Sequence, residues 1–418
     1  MKRSFTFIMA AVVALLLQGC FGSGGSSAPP PNNVVVAAKD SRVVVTWDMA
    51  PGVEYWIFRA VGSGITPTTC SSMPLCSTTI KVTSPLTVSG LSNGTTYSFT
   101  INGRTGGGPG GTGSPAIQAT PRLAGATWST GTALGTSVLR GVAYGAMYVA
   151  VGDGGVAYSS TDGNIWSTLT NGSPANLNAV IYDSLHAKYL SAGATGTVVA
   201  LTPATSSTLW ATQTSNTPNI LYALANNGSG FTVATGATGT IIASSDGVTW
   251  IDHTATSGTA KNLNGVAYGN GIFVAVGATG TVVHSTDGAT WVGATTPGTA
   301  NTLTSVTYSA DAGVFVAVGV SGTVITSPDG ITWTPKLTAT TTIPGTTQLN
   351  SVTYSAGRRF VAVANDGSIY YSEYASAGAA WTQAVPASVT LTPLNAVTTG
   401  GLYDYSAVGA VGLNLYSD

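Results

Sequence analysis

From Leu139 onward the chain repeats one pattern of apolar and polar positions. Each unit opens with Leu, then a larger, mostly polar residue, then Gly, Ala or Ser, then Val or Leu. The openings are Leu139-Arg140-Gly141-Val142, Leu177-Asn178-Ala179-Val180, Leu221-Tyr222-Ala223-Leu224, Leu263-Asn264-Gly265-Val266, Leu303-Thr304-Ser305-Val306, Leu349-Asn350-Ser351-Val352 and Leu394-Asn395-Ala396-Val397. A second apolar run follows, as in Phe273-Val274-Ala275-Val276-Gly277, then a Gly turn and a third run such as Gly280-Thr281-Val282-Val283. An Asp-Gly turn then leads into Thr-Trp or its equivalent: Asp162 to Trp166, Asp246 to Trp250, Asp287 to Trp291 and Asp329 to Trp333. Alternating apolar runs separated by such turns predict antiparallel strands throughout.

A recurrence of roughly 38–46 residues is the period of propeller blades. The small third position fits this, because innermost propeller strands crowd around the axis. The seventh unit runs out at Tyr416-Ser417-Asp418, and the segment Gly125-Ala126-Thr127-Trp128 supplies the rest of its turn phrase. The expected fold class is therefore all-β. Region 122–418 is expected to be a seven-bladed β-propeller whose last sheet is closed by an N-terminal strand, which removes an exposed edge. Two units depart from the turn phrase, at 201–210 and at Ser372-Glu373-Tyr374, but keep Trp210 and Trp381.

In a closed ring, equivalent positions lie at one height around the axis. The residues after each opening Leu form the set Arg140, Asn178, Tyr222, Asn264, Thr304, Asn350 and Asn395. Facing the channel, they would make a polar collar of amides with one cation and one aromatic ring. Amides both donate and accept, which suits sugars or peptide backbones. The same Asn residues also suit the capping of turns between blades, and the sequence leaves both roles open.

Ahead of the repeats, Val43-Val44-Val45-Thr46-Trp47, Tyr55-Trp56-Ile57-Phe58-Arg59 and Tyr97-Ser98-Phe99-Thr100-Ile101 are β-rich runs. Trp47, and Leu91 with Tyr97, resemble the core tryptophan and the tyrosine corner of the fibronectin type III module, a β-sandwich. The resemblance covers 33–121. Its Gly-rich run 103–113 sits where the last hairpin loop belongs. Cys70 and Cys76 are spaced to close a small local disulfide.

The amino terminus has Lys2-Arg3 and then an apolar run over 5–17, the layout of an export signal and too short for a membrane-spanning helix. Leu17-Gln18-Gly19-Cys20 resembles the lipobox of bacterial lipoproteins. That resemblance implies a signal peptide at 1–19, lipid on Cys20, a membrane partner through that lipid, and a flexible tether at 20–32. Phe21 in place of Asp points to the outer membrane. Only 7% of residues are charged and the net charge is −1, so nothing marks a nucleic-acid partner.

The repeated turn phrase resembles the Asp box of sialidase-type (BNR) propellers. With Val276-Gly277-Ala278-Thr279-Gly280-Thr281-Val282 it resembles the photosystem II assembly-factor family. The resemblance implies structural roles for Asp162, Trp166, Asp246, Trp250, Asp287, Trp291, Asp329 and Trp333, and for the divided pair Asp418 and Trp128. Sialidase chemistry needs an arginine triad, and the propeller region offers only Arg122, Arg140, Arg358 and Arg359, badly spaced. Glu373 is its only Glu, and His186, His253 and His284 fall in three different units. No catalytic residue, metal site or cofactor is expected. The reading is a non-catalytic, monomeric binding or assembly scaffold for a protein or glycan ligand. A glycan-active enzyme and a structural adhesion or surface-layer component are the alternatives.

Overall fold

The computed structural model describes residues 25–170, 173–203, 210–294, 298–336, 343–356, 359–373, 380–386, 392–401 and 404–417. Cys20, Arg358 and Asp418 lie outside the described residues. The chain divides between Leu123 and Ala124 into two compact units.

In the first unit a five-stranded sheet faces a three-stranded one. The larger holds Ser26–Ala28, Tyr97–Thr105, Glu54–Val61 and Ser77–Val82 in that order, with Ile117–Ala119 also paired to Tyr97–Thr105. The smaller holds Val35–Lys39, Arg42–Thr46 and Leu86–Ser89. Val43, Val45, Trp47, Ile57, Phe99 and Ile101 alternate inward from these strands and form one core. Trp47 meets Tyr55 edge to face at 6.1 Å, and the Tyr97 hydroxyl accepts a hydrogen bond from the Ser92 N–H at 3.1 Å. Cys70 and Cys76 are disulfide-bonded.

One boundary differs from the sequence reading. Ser26–Ala28, expected within a tether, forms a strand in register with Gly103–Thr105. Gly103 permits this: a Cβ there would lie 3.2 Å from that of Ala28. The Gly-rich run expected as a loop thus begins inside a strand.

Among the described residues, the second unit holds six four-stranded sheets and one five-stranded sheet. Sheet 1 runs Leu139–Tyr144, Tyr148–Gly152, Ala157–Ser160, Trp166–Leu169, each strand antiparallel to the next. Sheets 2 to 6 repeat this order from inner strands Leu177–Asp183, Leu221–Asn226, Leu263–Gly269, Leu303–Ser309 and Leu349–Ser355. Sheet 7 runs Leu394–Thr399, Tyr405–Gly409, Asn414–Ser417, then Thr127–Thr130, with Val385–Pro386 added in parallel at its edge. Consecutive inner strands lie side by side, and Leu394–Thr399 lies beside Leu139–Tyr144, so the ring closes.

The crowding inferred from the small third position is present. A Cβ on Gly265 would stand 2.9 Å from the Ser305 Cα, and one on Gly141 would stand 3.1 Å from the Ala179 Cα. Each gap between successive sheets is filled by its own apolar cluster against which one Trp packs. Trp250 packs on Leu190 and Val198 of sheet 2 and Leu224 and Ile242 of its own sheet. Trp333 bridges sheets 4 and 5 in the same way. At the closure, Trp166 packs on a cluster joining Val142 and Ala150 to Ala396 and Val408.

Candidate binding site at the channel mouth

Every inner strand breaks register at one place, between the opening Leu and the small residue. Leu263 faces Gly277 and Gly265 faces Val276, which leaves Asn264 as the extra residue. The same shift brackets Arg140, Asn178, Tyr222, Thr304, Asn350 and Asn395. A bulge re-aims the side chain it carries. Here it turns seven equivalent residues onto one cavity of about 200 Å³ at the axis, which all seven line together with the small residues and, in every sheet but the sixth, the Val or Leu after them.

Five of the seven bond to the backbone of the next inner strand. Asn178 Nδ2 donates to the Leu221 carbonyl at 2.9 Å, Asn264 to Leu303 at 2.8 Å, Asn350 to Leu394 at 2.7 Å and Asn395 to Leu139 at 2.8 Å. Thr304 Oγ1 donates to the Leu349 carbonyl at 2.6 Å. Each of these side chains therefore ties its own inner strand to the next, and Asn395 does so across the closure. The amide nitrogen of each Asn is thus used inside the ring.

Arg140 is paired with Asp153 through both Nε and Nη2, the latter at 3.0 Å. Asp153 was not singled out in the sequence, although a signal existed. It replaces the Ala of the Gly-Ala-Thr-Gly turn seen at Ala194, Ala237 and Ala278. A deeper layer was missed too: Ser305 Oγ accepts from the Val352 N–H at 3.2 Å and Ser351 Oγ from the Val397 N–H at 3.3 Å.

In the Asp-Gly turns the carboxylate serves its own backbone. Asp246 Oδ1 accepts the N–H groups of Val248 at 2.8 Å and Thr249 at 2.9 Å, and the Ser244 hydroxyl at 2.9 Å. Asp287 repeats this with Ala289, Thr290 and Ser285. The two N–H donors, from Thr249 and Val248 or from Thr290 and Ala289, hold each carboxyl down at about 2. At Asp162 and Asp329 partial burial pushes upward, but the turn's donors outweigh it and the net shift is downward. Gly163, Gly247, Gly288 and Gly330 supply the positive φ. The indole N–H of Trp166, Trp291 and Trp333 returns to the carbonyl of that Gly. Trp250 departs, its buried indole N–H having no partner.

Several acidic groups outside these turns have partners of their own. Asp183 pairs with His186 at 2.6 Å, Asp311 accepts the Tyr354 hydroxyl at 2.6 Å, and Glu373 pairs with Arg359 at 2.9 Å. Asp252 and Asp366 each cap a backbone N–H two residues on, at 2.8 Å and 2.9 Å. His186 is thus held within its hairpin. Among the described residues no group of three or more His, Cys, Asp or Glu is placed to hold a metal ion.

Solved structures share this architecture. A structure of YCF48 bound to D1 peptide matches with a TM-score of 0.57 at 15% identity, covering 69% of this chain and 94% of that one. YCF48 from Cyanidioschyzon merolae matches with a TM-score of 0.55 at 14% identity, covering 69% and 98%. The second unit has a β-propeller fold. At these identities the likeness speaks for the fold alone. No family model matches the sequence, and no curated protein matches it.

Proposed function

We propose that the chain is a non-catalytic binding or assembly scaffold of the cell envelope, which receives a polypeptide partner at the channel mouth of a seven-bladed propeller. One observation carries this reading: a bulge at the same place in every inner strand turns seven side chains onto a single cavity. About 200 Å³ falls below the ~300 Å³ at which drug-sized pockets begin, so it suits one side chain or chain end. The YCF48 neighbour bound to a peptide offers a precedent for the same fold.

The engaged state of the carboxylates argues against glycosidase chemistry, which needs two carboxyls facing a common bond. The first unit is read as a fibronectin type III module acting as a spacer, supported by Trp47, Leu91 and Tyr97 in one core. Export and lipid anchoring at Cys20 rest on the amino-terminal sequence. The Cys70–Cys76 disulfide fits an oxidising compartment.

A photo-crosslinking side chain placed at Tyr222 tests the reading in the native envelope, with Val248 on an exposed outer turn as the control position. Polypeptide adducts from Tyr222 alone are expected. Adducts from Val248 alone, equal adducts from both, or none from Tyr222 would reject the channel mouth as the docking site. Cys20→Ser should release the protein from the membrane fraction, and retention there would reject the anchor.

A further inference from the structure

We propose that the channel mouth is a receptor for a cationic side chain, the ammonium of Lys or the guanidinium of Arg, presented by that partner. The inference rests on the channel mouth being the binding site and names the chemistry it selects.

The argument starts from donor and acceptor bookkeeping in the ring. A backbone carbonyl can only accept, so at Asn178, Asn264 and Asn395 the amide nitrogen must be the end that faces the neighbouring Leu carbonyl. Each amide oxygen is consequently the free end, on a residue that lines the cavity. No described residue donates to these three oxygens, and none of them is sealed from solvent. Asn350 differs, since its Oδ1 accepts from Gln348 Nε2 at 2.9 Å.

Two of the donors that could serve an anion are committed elsewhere. The Thr304 hydroxyl proton goes to Leu349, and Arg140 is held by Asp153, which offsets its charge. A carboxylate or phosphate entering here would meet the lone pairs of three amide oxygens. An ammonium brings three donors and a guanidinium five, enough to satisfy several amide oxygens at once and replace the water the cation leaves behind. Tyr222 adds an aromatic ring to the same lining, and a ring face attracts a cation. At ~30 Å³ per water, the cavity holds on the order of seven waters, the space of one long side-chain tip.

The ring itself supplies the variant that tests this. Thr304 shows that Thr at the bulge keeps the bond to the next Leu carbonyl while carrying no amide oxygen. The triple variant Asn178→Thr, Asn264→Thr and Asn395→Thr should preserve the ring and replace each amide oxygen with a hydroxyl on a shorter side chain, set back from the cavity. Calorimetric titration of the full chain uses end-blocked Gly-Lys-Gly, Gly-Arg-Gly, Gly-Glu-Gly and Gly-Gly-Gly peptides. The Lys or Arg peptide, or both, should bind the wild type and lose about tenfold in affinity in the triple variant, with the thermal midpoint nearly unmoved. Thr304→Asn, which adds an acceptor, should tighten binding, and this arm decides the matter if the triple variant does not fold. Asp153→Asn should weaken binding by leaving Arg140 unopposed.

Equal binding of the cationic peptides by the triple variant would overturn the proposal, as would their failure to bind the wild type. Preference for the Glu or Gly peptide, lost in the triple variant, would also overturn it while leaving the channel mouth as the docking site. Potassium or calcium chloride displacing the Lys peptide at equal concentration would reassign the site to a metal ion and overturn it as well.

Discussion

Ser417 Oγ accepts a hydrogen bond from the Gly125 N–H at 2.8 Å, although 292 residues separate the two. The same hydroxyl donates to the Thr127 carbonyl at 2.6 Å. Ser160 and Gly163 make the corresponding contact at 2.9 Å within one continuous turn. Trp128 completes the copy, its indole N–H reaching the Gly125 carbonyl at 2.9 Å. The chain therefore closes its ring with a turn built from two distant segments, which keeps the Ser–Gly and Trp–Gly bonds of the intact ones.

Ser417→Ala should destabilise the second unit by about 1–3 kcal/mol, because it leaves the buried Gly125 N–H without an acceptor. Truncation after Leu413 removes Asn414–Ser417, the strand between Tyr405–Gly409 and Thr127–Thr130. It should abolish the cooperative unfolding transition of the whole ring. Urea unfolding followed by tryptophan fluorescence checks both, and a truncated chain with an unchanged midpoint would contradict the closure.

Acid should weaken the same turns. Asp246 and Asp287 sit at about 2 when folded, against 3.8 for the free group. A lowered folded value means that the contribution is fully present above about pH 4 and is lost as pH falls toward 2. Both carboxylates are exposed, so the effect per turn is modest. Asn keeps an oxygen for the two N–H donors but cannot ionise. The double variant Asp246→Asn and Asp287→Asn should accordingly show a shallower loss of stability between pH 4 and pH 2. A slope identical to wild type would show that these carboxylates do not set it.

The ring was legible because the chain repeats itself: small third positions, Trp after the Asp-Gly turn and the divided phrase at 125–128 and 416–418 each report a contact a ring must make. The channel mouth was legible only as a set of positions. Nothing local in Leu-Asn-Gly-Val distinguishes an amide that ties neighbouring strands from one that faces a ligand. The bulge decides this, and it arises from pairing with a strand several residues away. Asp153 was hidden for a related reason. Its role depends on Arg140, which lies across the first pair of strands in sheet 1. Ser26–Ala28 was read as tether because Gly, Ser and Pro surround it, whereas its strand pairing depends on Gly103 far along the chain.

The Trp positions are not equivalent. Trp333 donates its indole N–H to Gly330 at 3.1 Å, whereas that of Trp250 is buried and unpaired, and both rings are almost wholly buried. Trp333→Phe should cost about 1 kcal/mol more than Trp250→Phe, because only the first breaks a hydrogen bond. Chemical denaturation of the two variants in parallel checks the order.

In the first unit, the Cys70–Cys76 disulfide closes a short loop beside Phe58 and Ile65. Loop-closure entropy for so short a span is worth about 2 kcal/mol. Cys70→Ser with Cys76→Ser should lower the unfolding temperature of the first unit and leave the propeller transition in place. Calorimetry of the full chain separates the two, and a fall in the propeller transition would contradict the division at Leu123 and Ala124.

The bond from Asn264 to the Leu303 carbonyl separates a stability role from a binding one. Asn264→Ala removes the donor and should cost about 1 kcal/mol, lowering the thermal midpoint of the ring by a small but measurable amount. Asn264→Thr keeps a donor in the position where Thr304 already reaches Leu349, and should leave the midpoint within about half a kcal/mol of wild type. If Ala and Thr destabilise equally, a hydroxyl cannot take over the tie between sheets. The similarity of sheets 4 and 5 at this position would then have to be attributed to packing of the small residues beside it.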